Sequence, residues 1–203
     1  MTPVKQYDAR YFERWYRRSR VGVGAREFVA RKVRLAVAAA EYLHGREIKS
    51  VLDVGCGEAP WRAILKRLRP GLAYTGVDSS ENAVSRYGRT RGIRAGSVGT
   101  LGELGLRGRY DLVVCADVLH YVPTVEARRG LAVMHALCGG AAFIEAFTSV
   151  DKIEGDRAAF QRRTPAAYRA LFRVAGFVPL AMHLYATHEM SRTLVALERG
   201  AGG

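Results

Sequence analysis

From residue 50 to about residue 176 the chain alternates two patterns. Short β-branched apolar runs give way to stretches whose apolar positions recur every three or four residues. The short runs predict strands at Ser50–Val54, Ala73–Val77, Ile93–Ser97, Tyr110–Cys115 and Gly140–Phe147. The periodic stretches predict helices over Pro60–Leu68, Glu81–Tyr87, Val125–Leu137 and Pro165–Ala175, the last closed by Gly176. Pro60 suits a first helical turn, and Ser79 and Ser80 are good N-caps. Strand alternating with helix implies a parallel sheet covered by helices on both faces. Two further strands, Phe177–Thr187 and Arg192–Leu197, follow one another without a helix, so the sheet should close on an antiparallel hairpin.

Ahead of this core the pattern is helical. Tyr7, Tyr11, Trp15 and Arg18 recur at helical spacing within residues 7–20, and Val21–Gly24 interrupts them. A second helix is predicted from Ala25 to His44, with Phe28, Val29, Lys32, Leu35, Ala36 and Ala39 on one face and Gly45 ending it.

The chain's 203 residues suit one domain with a sizeable core. No apolar run approaches the ~20 residues that cross a bilayer. The first twenty residues lack the apolar segment of a signal peptide, so a cytoplasmic protein with no membrane partner is expected. Cys56, Cys115 and Cys138 form neither a disulfide framework nor a zinc-binding spacing, and no metal is expected. The net charge of +13 raises the question of a nucleic-acid partner. Arginine outnumbers lysine and is spread along the whole chain, which favours a solvated surface or an anionic small substrate.

The strongest local signal is Val51-Leu-Asp-Val-Gly-Cys-Gly-Glu-Ala-Pro60, where a strand runs into a glycine turn and then a helix. Gly55 and Gly57 allow a sharp turn and a close approach of backbone to ligand. In open α/β sheets ligands bind at the carboxyl ends of the strands near such a turn. A dinucleotide site would want glycine or alanine where Pro60 stands, and Glu58 would sit beside the pyrophosphate. A second acid, Asp78, follows the second strand 23 residues after Gly55. Its carboxylate suits the two hydroxyls of a ribose, since Ser79 and Ser80 can cap the next helix.

These segments resemble the class I S-adenosylmethionine-dependent methyltransferases. VLDVGCGEA is similar to the family's first motif, with Ala59 in place of its third glycine. YTGVDSS is similar to the second, YDLVVCADVLHYVP to the fourth-strand motif of small-molecule members, and GGAAFIEAF to the fifth strand. The resemblance covers about residues 48–198. It implies a Rossmann-like three-layer α/β sandwich on a mostly parallel seven-stranded sheet with an antiparallel C-terminal strand. Residues 1–46 would be a helical cap, 47–199 the core and 200–203 a tail.

The resemblance also implies S-adenosyl-L-methionine as cofactor. Asp53, Gly55, Cys56 and Gly57 would border its methionine end, with Ala116 and Asp117 along the methionine chain. Asp78 would hold the ribose. Ser79 would lie near the adenine, with Ser97 where many members have an acid. Tyr11 and Trp15, with Tyr16 and Arg17, would form a lid.

His120 is the expected catalytic base, because its ordinary pKa of about 6.5 suits proton removal at neutral pH. Tyr121 is the expected orienting partner, and Glu145 ends the fifth strand at the same mouth. His183 and His188 are read as structural or surface residues. Arg157, Arg162 and Arg163 would suit a carboxylate or phosphate on the acceptor. Ala116-Asp-Val-Leu119 lacks the Asn/Asp-Pro-Pro-Tyr/Phe signature of base-amine methylation. The expected function is methyl transfer to oxygen or nitrogen of a small-molecule acceptor. The alternatives are an RNA methyltransferase and a non-catalytic cofactor-binding module.

Overall fold

The computed structural model describes residues 9–14, 26–153, 157 and 159–200. A seven-stranded sheet comprises β1 (Ser50–Val54), β2 (Ala73–Asp78), β3 (Ile93–Ala95), β4 (Tyr110–Ala116), β5 (Cys138–Glu145), β6 (Phe177–Pro179) and β7 (Leu184–Thr187). Their spatial order is β3-β2-β1-β4-β5-β7-β6. Strands β1 to β5 pair in parallel, and β7 runs antiparallel to both β5 and β6. Among the described residues, two N-terminal helices, the short α1 (Ala9–Phe12) and the long α2 (Arg26–His44), precede α3 (Pro60–Leu68), α4 (Glu81–Arg91), α5 (Thr124–Ala136), α6 (Pro165–Val174) and α7 (His188–Ser191). This is the helix-covered parallel sheet that the alternation implied and the Rossmann-like three-layer sandwich that the resemblance implied. No described helix is long and apolar enough to cross a membrane.

The central parallel strands are mostly apolar because both faces of the sheet are covered. Neighbouring residues sort to opposite layers. Leu52, Val113, Cys115, Ala142 and Ile144 pack with Leu131, Met134, Leu171 and Phe172 of α5 and α6. Val51, Leu112, Val114, Ala141 and Phe143 pack with Val33, Val37, Trp61 and Leu65 of α2 and α3. The same parity sets the polar ends of the strands: Glu145 shares the α2 side with Phe143.

The predicted helix starts hold. Pro60 opens α3, and the Ser80 hydroxyl accepts the Ala83 N–H at 3.1 Å to cap α4. Gly92, at φ +68, ends α4 in the left-handed conformation that glycine adopts cheaply.

Two expectations are corrected. The buried face of α2 is Val29, Ala30, Val33, Ala36, Val37 and Ala40, whereas Phe28 is exposed. Several alanines leave the apolar stripe broad, and the sheet selects the part centred on Val33. The closing hairpin lies wholly within Phe177–Thr187, and Arg192–Leu197 forms no strand. The reversal falls at Leu180–His183, where Leu184 N–H bonds Ala181 O at 2.8 Å and Met182 and His183 take φ of +50 and +67. None of these residues is a turn former, so the apolar run reads as one continuous strand. The predicted helix over residues 7–20 lies largely outside the described residues, apart from α1.

Candidate functional site

The carboxyl ends of β1, β2, β4 and β5 converge above the sheet. At β1 the chain turns through Gly55 (φ +75) and Gly57 (φ +54). A Cβ on Gly55 would run into the side chain of Val118, so glycine is required by space as well as by conformation. The loop's amides are committed internally. Gly55 and Cys56 N–H both donate to Val77 O, at 2.7 and 3.1 Å, and Ala59 N–H donates to Cys56 O at 2.8 Å. Gly57 N–H donates to Asp78 Oδ2 at 2.6 Å. A phosphate cradle depends on free amides of this kind, so the turn is unsuited to a pyrophosphate. Cys56 stands in the turn, but its thiol packs beneath it beside Ile93, Ala59 and Tyr74. Burial raises that thiol well above its ordinary pKa, so it is no nucleophile.

Asp78 ends β2 and is buried. Its Oδ1 accepts Ser80 N–H at 2.8 Å, opposite the Gly57 bond on Oδ2. A carboxylate has about four lone-pair sites, so each oxygen keeps capacity for one further donor. Burial raises the carboxyl, and the two amide bonds oppose that. Ser79 is exposed and Ser80 buried, so Ser80 takes the cap. Ser97 lies half-buried just past β3, next to Asp78 through the Gly96 N–H to Asp78 O bond of 3.0 Å. Its hydroxyl is 3.2 Å from the Thr100 hydroxyl, in a local turn.

Asp53, on β1, is also buried, and Tyr74 Oη donates to it at 2.7 Å. Its carboxyl is pushed up to about 7, chiefly by burial and further by the charge of Asp78, against the Tyr74 bond. Tyr74 was not singled out from the sequence. It stands opposite Val51 in the register, and only the fold brings its hydroxyl to Asp53.

Beyond β4 the chain passes Ala116 and then Asp117, a non-glycine residue at φ +64. Backbone strain of this kind concentrates at functional sites. Asp117 N–H donates to Glu145 O at 3.2 Å, tying the ends of β4 and β5 together. His120 is fully buried. Its Nδ1 accepts Phe147 N–H at 3.4 Å, and its Nε2 lies 3.4 Å from Asp117 Oδ1. Tyr121, Phe147 and Phe160 surround the ring at centroid distances of 4.2, 5.2 and 5.6 Å. On the opposite side of the β5 end, Glu145 is buried against Lys32 Nζ at 2.6 Å. Tyr11 is half-buried on α1, and Trp15 lies outside the described residues.

The arginines after β5 divide. Arg163 is buried, and its guanidinium donates to Leu119 O (2.9 Å), Thr124 Oγ1 (3.1 Å), Tyr168 Oη (3.2 Å) and Val122 O. It clamps the 119–124 segment that carries His120 and is not available to grip an acceptor, contrary to the expectation. Arg157 and Arg162 are exposed. Replacing Arg163 with Met should leave several buried acceptors unpaired and cost about 3 kcal/mol of stability. Thermal unfolding followed by circular dichroism measures this, and an unchanged midpoint would refute the clamp.

The site offers two buried acids and a tight glycine turn whose amides at Gly55, Cys56, Gly57 and Ala59 are already bonded, an arrangement better suited to a ligand with hydroxyls and positive charge than to a phosphate. Residues 52–140 match the family model described as a methyltransferase domain. A ribosomal protein L11 methyltransferase of Campylobacter fetus is 36% identical over 77 residues, covering 36% of this chain and 27% of that protein. The chain thus spans about a quarter of the length of that curated relative. The fold resembles magnesium protoporphyrin IX methyltransferase of Synechocystis, solved with S-adenosylhomocysteine bound (TM-score 0.60, 20% identity, 89% of this chain and 96% of that one). It also resembles a S-adenosylmethionine-dependent methyltransferase of Archaeoglobus fulgidus (TM-score 0.63, 18% identity, 86% and 76%).

Proposed function

We propose that this chain is a class I S-adenosylmethionine-dependent methyltransferase that moves a methyl group to an oxygen or nitrogen of a small-molecule acceptor, a reading supported by the match of residues 52–140 to a methyltransferase-domain model. The observation that carries the reading is the commitment of the loop amides to Val77 O and Asp78, which leaves a cradle of carboxylates. Asp78 holds the ribose hydroxyls with its remaining lone pairs. Asp53 faces the positively charged methionine end, bordered by the backbone of Gly55, Cys56 and Gly57 and by Ala116 and Asp117. Ser79 and Ser97 flank the adenine, although the Ser97 hydroxyl and amide also serve the Thr100 turn. Tyr11 and Trp15 are proposed as the cover over this half.

The cofactor supplies an activated methyl on a cationic sulfur that leaves neutral. The chain's own task is alignment and exclusion of water, and alignment alone can be worth roughly 7–11 kcal/mol. His120 and Tyr121 shape the acceptor end. A neutral imidazole has one accepting nitrogen, and His120 uses Nδ1 for Phe147 N–H, so its Nε2–H faces Asp117. His120 thereby positions Asp117 and the aromatic wall of Tyr121, Phe147 and Phe160. With Arg163 consumed by its clamp, an anionic group on the acceptor would meet the exposed Arg157 and Arg162.

A screen with methyl-labelled donor over small hydroxy and amino compounds, run beside RNA and protein substrates, tests the reading. Label in a small molecule is expected. Label appearing only in RNA or protein would overturn the acceptor class, and no binding of donor or demethylated product would overturn the activity.

A further inference from the structure

On the α2 side of the β5 end lies a group of charges that the cofactor cradle does not use. Glu145 Oε2 is 2.6 Å from Lys32 Nζ, with side-chain exposures of 6% and 16%. Lys32 sits in the first half of α2 with its ammonium 4.4 Å over the Phe28 ring. A buried pair of this kind adds little to stability that well-packed apolar side chains would not, so packing does not account for it. On the other side of the same carboxylate stands His183, its Nε2 4.0 Å from Glu145 Oε1 and its side chain 47% exposed.

His183 is held firmly. It is the second of two successive non-glycine residues with left-handed backbone. Its carbonyl accepts Ile144 N–H at 2.9 Å, which ties the turn to β5. Its ring meets the Phe143 ring at 5.9 Å, edge-on. Asp151, which accepts the hydroxyl and amide of Thr148 at 2.7 Å, is the other acid acting on it. The neutral ring keeps one accepting nitrogen. The cluster borders Asp117 through the bond from Asp117 N–H to Glu145 O, on the half of the strand ends away from Asp78. The structural or surface position expected for His183 agrees with its 47% exposure, and the fold adds its approach to Glu145.

We infer that His183 is the proton acceptor for the methyl acceptor's hydroxyl or amine, with Glu145 and Lys32 as its positioning pair. The inference rests on the methyl-transfer reading above. As the acceptor's lone pair bonds to the methyl carbon, the carbon–sulfur bond breaks and its electron pair goes to sulfur. The acceptor's proton passes to the accepting ring nitrogen of His183. The resulting imidazolium faces the Glu145 carboxylate and returns its proton to solvent through the exposed part of the ring.

The test needs no identified acceptor. The imidazole signals of His183 are titrated by NMR in the complex with S-adenosylmethionine and in the complex with S-adenosylhomocysteine, with exposed His188 as internal reference. A base beside the reacting methyl feels the sulfonium charge, which the product lacks. His183 should therefore take up its proton at lower pH in the donor complex, while His188 stays put. E145Q should shift His183 to lower pH in both complexes. Once an acceptor is found, H183Q should lose at least about 100-fold in kcat with unchanged donor affinity. Identical His183 titrations in the two complexes, or wild-type turnover by H183Q, would overturn the assignment. A donor that binds while His183 is undisturbed sinks the base alone, whereas a donor that does not bind sinks the methyl-transfer reading with it.

Discussion

Replacing Asp78 with alanine is expected to weaken S-adenosylmethionine binding about 100-fold or more, measured by titration calorimetry with the donor and with its demethylated product. Hydrogen bonds to a charged group contribute roughly 1.5–3 kcal/mol each, and the carboxylate has room for two from a ribose. Asp78 also accepts Gly57 N–H and Ser80 N–H. Its loss would therefore loosen the glycine turn as well as remove the ribose partner. Asp78→Asn separates the two effects. The amide oxygen can keep one of the two bonds, so the fold should hold while affinity still falls. Equal affinity in wild type and both variants would remove the ribose assignment.

The second large effect concerns Asp53 and depends on pH. Its folded pKa, raised to about 7, stands above the ordinary carboxyl value near 3.9. A raised acid binds its proton more tightly folded than unfolded, so its contribution turns unfavourable as pH rises from about 4 to about 7 and is constant above. The full penalty is about 4 kcal/mol, an upper bound for this group. Asp53→Asn should therefore gain stability relative to wild type between pH 5 and pH 8, read as a growing difference in unfolding midpoint. A pH-independent difference would refute the buried carboxyl. The same proton governs binding. The donor's positive charges favour the ionised carboxylate, so wild-type affinity should rise with pH through about 7, and Asp53→Asn should flatten that rise.

Much of this was readable along the chain because it depends on local chemistry. The glycine turn at Gly55 and Gly57, the cap at Ser80, Pro60 opening α3 and Asp78 ending β2 each follow from residues a few positions apart. Where local chemistry was ambiguous, reading failed in a physical way. The alanine-rich stretch of α2 has no sharp apolar edge, and the turn at Leu180–His183 is built from residues that read as strand. His120 was visible as a histidine at a strand end. Its burial among Tyr121, Phe147 and Phe160 depends on segments up to 40 residues away.

The order of apolar runs and breaks determined by itself that this chain builds a parallel, two-sided sheet with a glycine turn and two acids at its carboxyl edge. Backbone periodicity and turn chemistry are short-range, and they survive without knowledge of the rest of the molecule. Only the tertiary structure decided which side chains share a proton or a charge. Lys32 and Glu145 are 113 residues apart. Tyr74 reaches Asp53 only because β1 and β2 pair in register, and Arg163 is buried only because the segment after β5 folds back on the end of β4. Such pairings are set by the packing of layers, whose contacts are distant in sequence, and burial then alters the acidity and availability of each group.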